Sequence, residues 1–473
     1  MSEHCGYVVC VKELRPHPNA DKLQIATFFG NDTCISLEAK IGDIGIYFPS
    51  DLQLSEEFCD YNHLCRTKAD GTPDTGYLER DKRNVKAIRL RGEKSDGIYM
   101  PLKCLDYIEA DVLSFQIGDK IEVVNGHEIC RKYIPRRNHR QGGYSEGNRT
   151  RKKKVDIAPL FAEHADTEQL AYNLGAFKPG DEIEITLKMH GTSQRTGYLP
   201  ILQENSFEWD GYFKYLVYAL NPVKKWRHAY ARKFAKPQYD WGYVSGTRRT
   251  VLDNYDGGYY GSNEFREQHS KTFEGKLWKG ETVYYEVVGF THTGAPIMAE
   301  GNNEKLGKDF VQQYGKKTVF SYGCDSVGGI DHDGVPYGPE SDIYVYRMTM
   351  TNEDGAVVEY TSDFMRYRCE QMGVKTVPVF ARFIIPEFYQ LPDDVGSLQA
   401  VDAGEYVRKI AEDFYDGPDP IGKTHIREGV VVRILNRPKF CAYKHKNWSF
   451  KCIEGIIKDV ATVPDMEEEQ EVI

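Results

Sequence analysis

A chain of 473 residues with a formal net charge of −10 has room for two or three domains, each with an adequate core. No apolar run approaches the ~20 residues that span a bilayer, so no membrane partner is expected. The acidic balance argues against simple polycation behaviour, although the distribution of charge decides nucleic-acid binding more than its total does.

Eleven cysteines, none in Cys-x-x-Cys spacing, suit a reducing, cytoplasmic compartment. Cys59, His63 and Cys65 have no second ligand pair, so zinc is not expected there. Met1 to Gly6 lacks the basic and apolar regions of a secretory signal.

From Cys5 to Val124 short alternating runs such as 7–11, 35–37, 44–48, 85–90 and 121–124 are separated by turn residues. That pattern predicts an N-terminal OB-type β-barrel over residues 1–130, a class of surface that binds oligonucleotides. Arg15, Lys22, Arg89, Arg91 and Lys94 are the candidate phosphate contacts of this RNA-binding module. Residues 131–154 form a basic linker, with ten Lys/Arg and Glu146 as the lone acid. Arg151 to Lys154 also fits a nuclear-localisation pattern, an unspecific match.

Residues 155–460 mix helical and strand patterns, an α+β signature, and residues 461–473 form an acidic tail. Asp166 to Tyr172 reads as a short helix leading into a strand that ends at Lys188. Residues 207–242 interleave aromatics with lysines and arginines, around a break at Pro222. A basic helix packed by its aromatic face is expected, with base stacking and phosphate contact as the other reading.

The alternating run Ile183, Ile185, Leu187 delivers Lys188 to a turn, Met189-His190-Gly191-Thr192-Ser193. A lysine held beside a phosphate can serve as a nucleophile, yet Lys-x-x-Gly alone is a weak signal. Four further stretches strengthen it: Val244-Ser245-Gly246-Thr247-Arg248-Arg249, the strand around Glu286, Glu428 at the start of an apolar strand, and Lys444 with Lys446. Two residues apart on a strand, those lysines share a face.

In this order the motifs resemble the covalent nucleotidyltransferase superfamily of ATP-dependent DNA ligases, RNA ligases and mRNA-capping guanylyltransferases. The His-Gly-Thr-Ser ending after Lys188 is similar to the RNA ligases. With the N-terminal module, the chain resembles their OB-bearing branch, of the Deinococcus and Naegleria type. The resemblance implies a nucleotidyltransferase domain of antiparallel sheets flanked by helices.

It also implies an ATP-dependent enzyme that seals RNA 3′-hydroxyl and 5′-phosphate ends, in RNA or RNA–DNA hybrid nicks, through a lysyl-AMP on Lys188. Lys444 and Lys446 would neutralise the α-phosphate, and Glu428 would hold Mg²⁺, or Mn²⁺ in its place, through water. Glu286 would take the ribose hydroxyls, Arg248 (or Arg249) the ribose or RNA phosphate, and Tyr346 (or Tyr344) the adenine. Gly191 and His190 complete the nucleotide pocket, the role of His190 being unassigned. A DNA ligase, a capping enzyme and a non-catalytic RNA-binding adaptor are the alternatives.

Overall fold

The computed structural model describes residues 4–134 and 157–460, apart from 210, 224–225, 228–229, 231–232, 249, 253–254, 256–263, 331–332 and 391–397. The basic linker, except 131–134, and the acidic tail lie outside the described residues. The fold is α+β, with mostly antiparallel sheets and few helices.

In the N-terminal part, Gly6–Cys10 pairs with Lys120–Ile121 on one side and Ile44–Phe48 on the other, and Ile98–Pro101 closes the edge. Alternation buries both faces of Gly6–Cys10. Val8 joins Ile46, Phe48 and Leu54 in one cluster, while Tyr7 and Val9 join Phe28 and Tyr47 in another. A separate three-stranded meander, Leu14–Pro16, Leu23–Phe28 and Asn31–Ser36, lies alongside, as does the hairpin Ala87–Leu90 with Glu93–Asp96. Among the described residues these strands do not join into a closed barrel.

Two larger sheets follow. In the first, the order is Glu168–Gln169, Ala442–Lys446, Gly429–Ile434, Glu182–Lys188 and Val379–Ile384. In the second, Thr192–Trp209 lies between Ala235–Gly246 and Glu281–Gly289, which pairs onward with Ser341–Thr351. The chain passes from one sheet to the other at Met189-His190-Gly191, so Lys188 ends a strand of the first sheet and Thr192 begins one of the second. Ile183 and Ile185 pack with Val430 and Val432 on one side of the first sheet. The alternate positions Glu184, Thr186 and Lys188 line a cleft on the other.

The closing helix, Trp448–Val460, starts directly after the Lys446 strand. Asn447 accepts a hydrogen bond from the Phe450 amide, as an N-cap does. Lys451 Nζ reaches Asp96 Oδ2 at 2.6 Å, and Cys452 Sγ donates to the Ala87 carbonyl. The helix therefore packs against the N-terminal hairpin as well as the sheets.

Two expectations fail. Asp166 to Tyr172 is not a helix: Glu168–Gln169 adds a parallel edge to Tyr443 and Lys444, and a 3₁₀ turn, Leu170–Tyr172, follows. The open backbone edge of the Lys446 strand takes the segment that local propensity assigns to a helix. Residues 207–242 are only in part helical and are not a single basic helix. They are the distal part of a hairpin whose strands pair from Arg195 with Gly246 out to Trp209 with Ala235. Tyr212–Leu220 forms a helix there, none of whose residues is fully buried, and Trp226, Arg227, Tyr230, Lys233 and Phe234 are helical as well.

Candidate active site

Lys188 stands opposite Gly429 in the register of the first sheet. Its Nζ lies 2.7 Å from Glu428 Oε1, and Lys446 Nζ approaches the same oxygen at 3.3 Å. Lys446 also reaches Glu454 of the closing helix at 2.9 Å.

Gly429 makes this convergence possible. Its φ is +151°, and a Cβ there would fall 2.0 Å from the His445 carbonyl oxygen. Glu428 is 2% exposed. Burial pushes its carboxyl up, but the Lys188 and Lys446 ammoniums, with His190, outweigh that and hold it well below the usual carboxylate range. Its Oε2 is buried and makes no hydrogen bond among the described residues. His190 Nδ1 lies 3.5 Å away, longer than a good hydrogen bond.

His190 is fixed from three sides. Its backbone N–H donates to the Tyr322 hydroxyl at 2.6 Å, and its ring meets Phe320 and Phe450 edge-on at 4.5 and 4.8 Å. Gly191 gives the turn room against the second sheet, since a Cβ would sit 2.4 Å from the Val287 carbonyl oxygen.

Lys188, Glu286, Arg248 and Tyr346 line one cleft, with about 850 Å³ of space partly open to solvent. Glu286 sits opposite Ser193 and Tyr344 in the second sheet. The Tyr346 hydroxyl shares a 2.9 Å hydrogen bond with Ser193 Oγ, and its ring packs on His164. Tyr344 is buried among Leu187, Met189 and Val288 and does not line the cleft. Arg248 Nη1 pairs with Asp166 at 3.2 Å; Arg249 lies outside the described residues. Lys444 sits opposite Val431, and strand alternation puts it on the face of Lys446 and of Ala442, which borders the cleft.

His164, Glu184, Arg366, Arg433 and Phe440 also line the cleft and were missed from sequence. Arg433 was legible, because it stands two residues after Val431 on one strand face. Burial, with Arg347 and Arg248 nearby, pushes the His164 imidazole well below its ordinary value, so this ring is neutral.

The N-terminal cations are not in this cleft. Arg15 pairs with Asp32, Lys22 is exposed, and Arg91 occupies a left-handed turn with φ +44°. Arg89 and Lys94 lie 5.1 and 5.4 Å from the centre of the Trp448 ring. Trp448 and Arg89 line a separate, larger cleft of about 1800 Å³ together with Arg66, Lys86 and Lys305.

Two mostly antiparallel sheets joined at a lysine-bearing turn, with a glutamate and a second lysine brought in by adjoining strands, make a fold shared with solved RNA ligase structures. Among solved structures, the chain is similar to Naegleria gruberi RNA ligase in a mutant form with AMP and Mn. That match has 15% identity and a TM-score of 0.51, over 95% of this chain and 98% of that one. The same ligase with PPi matches at 16% identity and a TM-score of 0.50, over 97% and 98% of the two chains. An apo mutant matches at 17% and 0.50, over 95% and 97%. The likeness is one of fold. No family model and no curated protein matches the sequence.

Proposed function

We propose that this chain is an ATP-dependent RNA ligase that joins RNA 3′-hydroxyl and 5′-phosphate ends, including nicks in RNA or RNA–DNA hybrids. The observation that carries the reading is the cluster of Lys188, Glu428 and Lys446, of which Lys188 lines the same cleft as Glu286, Tyr346 and Arg248. Naegleria gruberi RNA ligase has been solved with ATP or AMP and Mn, and with PPi, which accords with it.

Lys188, once deprotonated, attacks the ATP α-phosphorus. The N–P bond forms as the bond to the leaving pyrophosphate breaks. Lys446 and Lys444 meet the negative charge that grows on the phosphoryl oxygens, where fixed cations count most. Glu286 accepts from the ribose hydroxyls, the Tyr346 ring covers the adenine, and Arg248 takes the ribose or the RNA 5′-phosphate. The adenylyl group then passes from Lys188 to that 5′-phosphate, and the RNA 3′-hydroxyl displaces AMP as the phosphodiester forms.

A divalent cation suits Glu428 through its water shell. The buried Oε2 of Glu428 makes no hydrogen bond among the described residues and would be the acceptor for such a shell. Mg²⁺, or Mn²⁺ in its place, keeps several waters in such one-carboxylate sites and neutralises phosphate charge.

In the same reading residues 1–130 act as an OB-type module that contacts RNA through Arg15, Lys22, Arg89 and Arg91. Residues 131–154 link it to the catalytic unit 155–460. Incubation with α-labelled ATP or GTP tests the chemistry. Label from ATP should stay on the protein through denaturation and vanish in Lys188→Ala. Label from GTP alone, or label that survives Lys188→Ala, would sink the proposal. Nicked duplexes that differ in sugar on each side test the preference for RNA, which requires ribose at the 3′-hydroxyl.

A further inference from the structure

The hairpin that begins at the active-site turn becomes progressively more exposed toward its far end. Along Ala235–Gly246 the last three residues are buried, the middle is half-buried, and three of the first four are exposed. The strand leaves the core as it runs back toward Ala235. From Gly246 to Ala235 is eleven steps, roughly 36 Å at ~3.3 Å per residue. Its inner end is anchored beside the cleft, where Ser193 bonds Tyr346 and Arg248 follows Gly246. Its outer end carries the helix Tyr212–Leu220.

That helix is apolar and aromatic, yet Tyr212, Phe213 and Leu220 are 77%, 79% and 73% exposed, and Trp226 beyond it is 68% exposed. Helices hold their shape mostly by burying a face; this one half-buries Leu216 and Tyr218, with Tyr218 against Trp209, and leaves its larger apolar side open for a partner. The partner's chemistry is set by the charge. By sequence, residues 207–242 hold seven Lys/Arg against Glu208, Asp210 and Asp240, in a chain whose overall charge is −10. Cations already stand over ring faces here: Arg227 lies 4.8 Å from the centre of Tyr218, and Lys233 lies 5.2 Å from that of Phe234. Exposed rings interleaved with cations match a strand that offers both unpaired bases and phosphates. A duplex hides its base faces and would leave the rings unused.

We infer that the tip of this hairpin is a second RNA contact, which stacks unpaired nucleotides of the substrate at a distance from the ends being joined. The arm's reach corresponds to roughly ten or more base-pair steps. The inference rests on the RNA-joining reading for the identity of its ligand. It favours substrates with a loop or single-stranded extension about that far from the break over plain nicked duplexes.

The test compares fluorescent nicked RNA duplexes, ten base pairs on either side of the nick, with and without a ten-nucleotide single-stranded extension. The proteins are the full chain and its Tyr212→Ser/Phe213→Ser/Tyr215→Ser variant. These side chains are exposed, so the variant should fold; its melting temperature checks this. The parent should bind the extended duplex about ten-fold or more tighter than the plain one, since each stacked base is worth roughly five-fold or more. The variant should lose that preference while binding the plain duplex as the parent does.

Equal affinity of the parent for both duplexes would overturn the inference, as would a preference that persists in the variant. If the variant instead loses flotation with phosphatidylserine vesicles, or changes its sedimentation mass with RNA affinity intact, the tip serves a membrane or a second protein and the inference fails. Covalent labelling by ATP separates the two proposals. A chain that takes no label but shows the extension preference keeps this inference and loses the ligase reading.

Discussion

Replacing Glu428 by Gln tests the charge balance on which the site depends. The substitution keeps the shape of a side chain that is 2% exposed and removes the carboxylate 2.7 Å from Lys188 and 3.3 Å from Lys446. Breaking a buried ion pair by removing one partner costs about 3–5 kcal/mol. Two features move this case to the low end. The Lys188 side chain is 21% exposed and keeps some water, and Lys446 retains Glu454 at 2.9 Å.

A loss of about 3 kcal/mol, at roughly 1.6 °C per kcal/mol for a unit of about 300 residues, lowers Tm by about 5 °C. The pH dependence has a definite sign. A carboxyl held below its ordinary value contributes stability that is fully present above about pH 4.3 and is lost as pH falls through the depressed folded value. The gap between parent and variant should therefore be constant near neutrality and narrow on acidification below about pH 4.

Scanning calorimetry at neutral pH and along an acid series reads both quantities. Adding Lys188→Met to Glu428→Gln removes one of the two stranded ammoniums. The double variant should be more stable than Glu428→Gln alone, with a coupling of about 0.5–3 kcal/mol. A variant as stable as the parent at neutral pH, a gap indifferent to pH, or strictly additive effects would refute the reasoning.

Lys446→Ala should slow covalent labelling by about 10²–10³-fold, as loss of a charge-stabilising donor does, and a single-turnover labelling rate measures it. Gly429→Ala places a Cβ 2.0 Å from the His445 carbonyl oxygen; the Lys446 strand must shift, and urea unfolding should record a loss of more than about 2 kcal/mol. Tyr346→Ala should raise the KM for ATP with little change in Tm, while Tyr346→Phe, which loses only the hydroxyl bonded to Ser193, should stay near the parent. Tyr344→Ala should do the reverse, lowering Tm by cavity formation among Leu187, Met189 and Val288.

The contrast between the two tyrosines marks how far the sequence can be read. Strand periodicity places Lys444 with Lys446, and Glu184 and Thr186 with Lys188, because a period of two is a local property. It puts Tyr344 and Tyr346 on one face as well, but the pairing with the neighbouring strand skips Tyr346, and Tyr344 belongs to the buried cluster while Tyr346 lines the cleft. Asp166 to Tyr172 departs from its helical propensity for a related reason: the edge that recruits Glu168–Gln169 lies more than 270 residues away, at Tyr443 and Lys444.

His190 is the sharpest case. Its neighbours in the chain leave it unassigned, while Phe320, Tyr322 and Phe450, none of them near in sequence, hold its backbone and ring. They aim Nδ1 at the one oxygen of Glu428 that has no hydrogen bond among the described residues. Its place therefore depends on Phe450, whose helix also brings Glu454 to Lys446 and Lys451 to Asp96. One helix thus ties the Lys188–Glu428 pair, Lys446 and the N-terminal hairpin together, a coupling that no local motif in this sequence encodes.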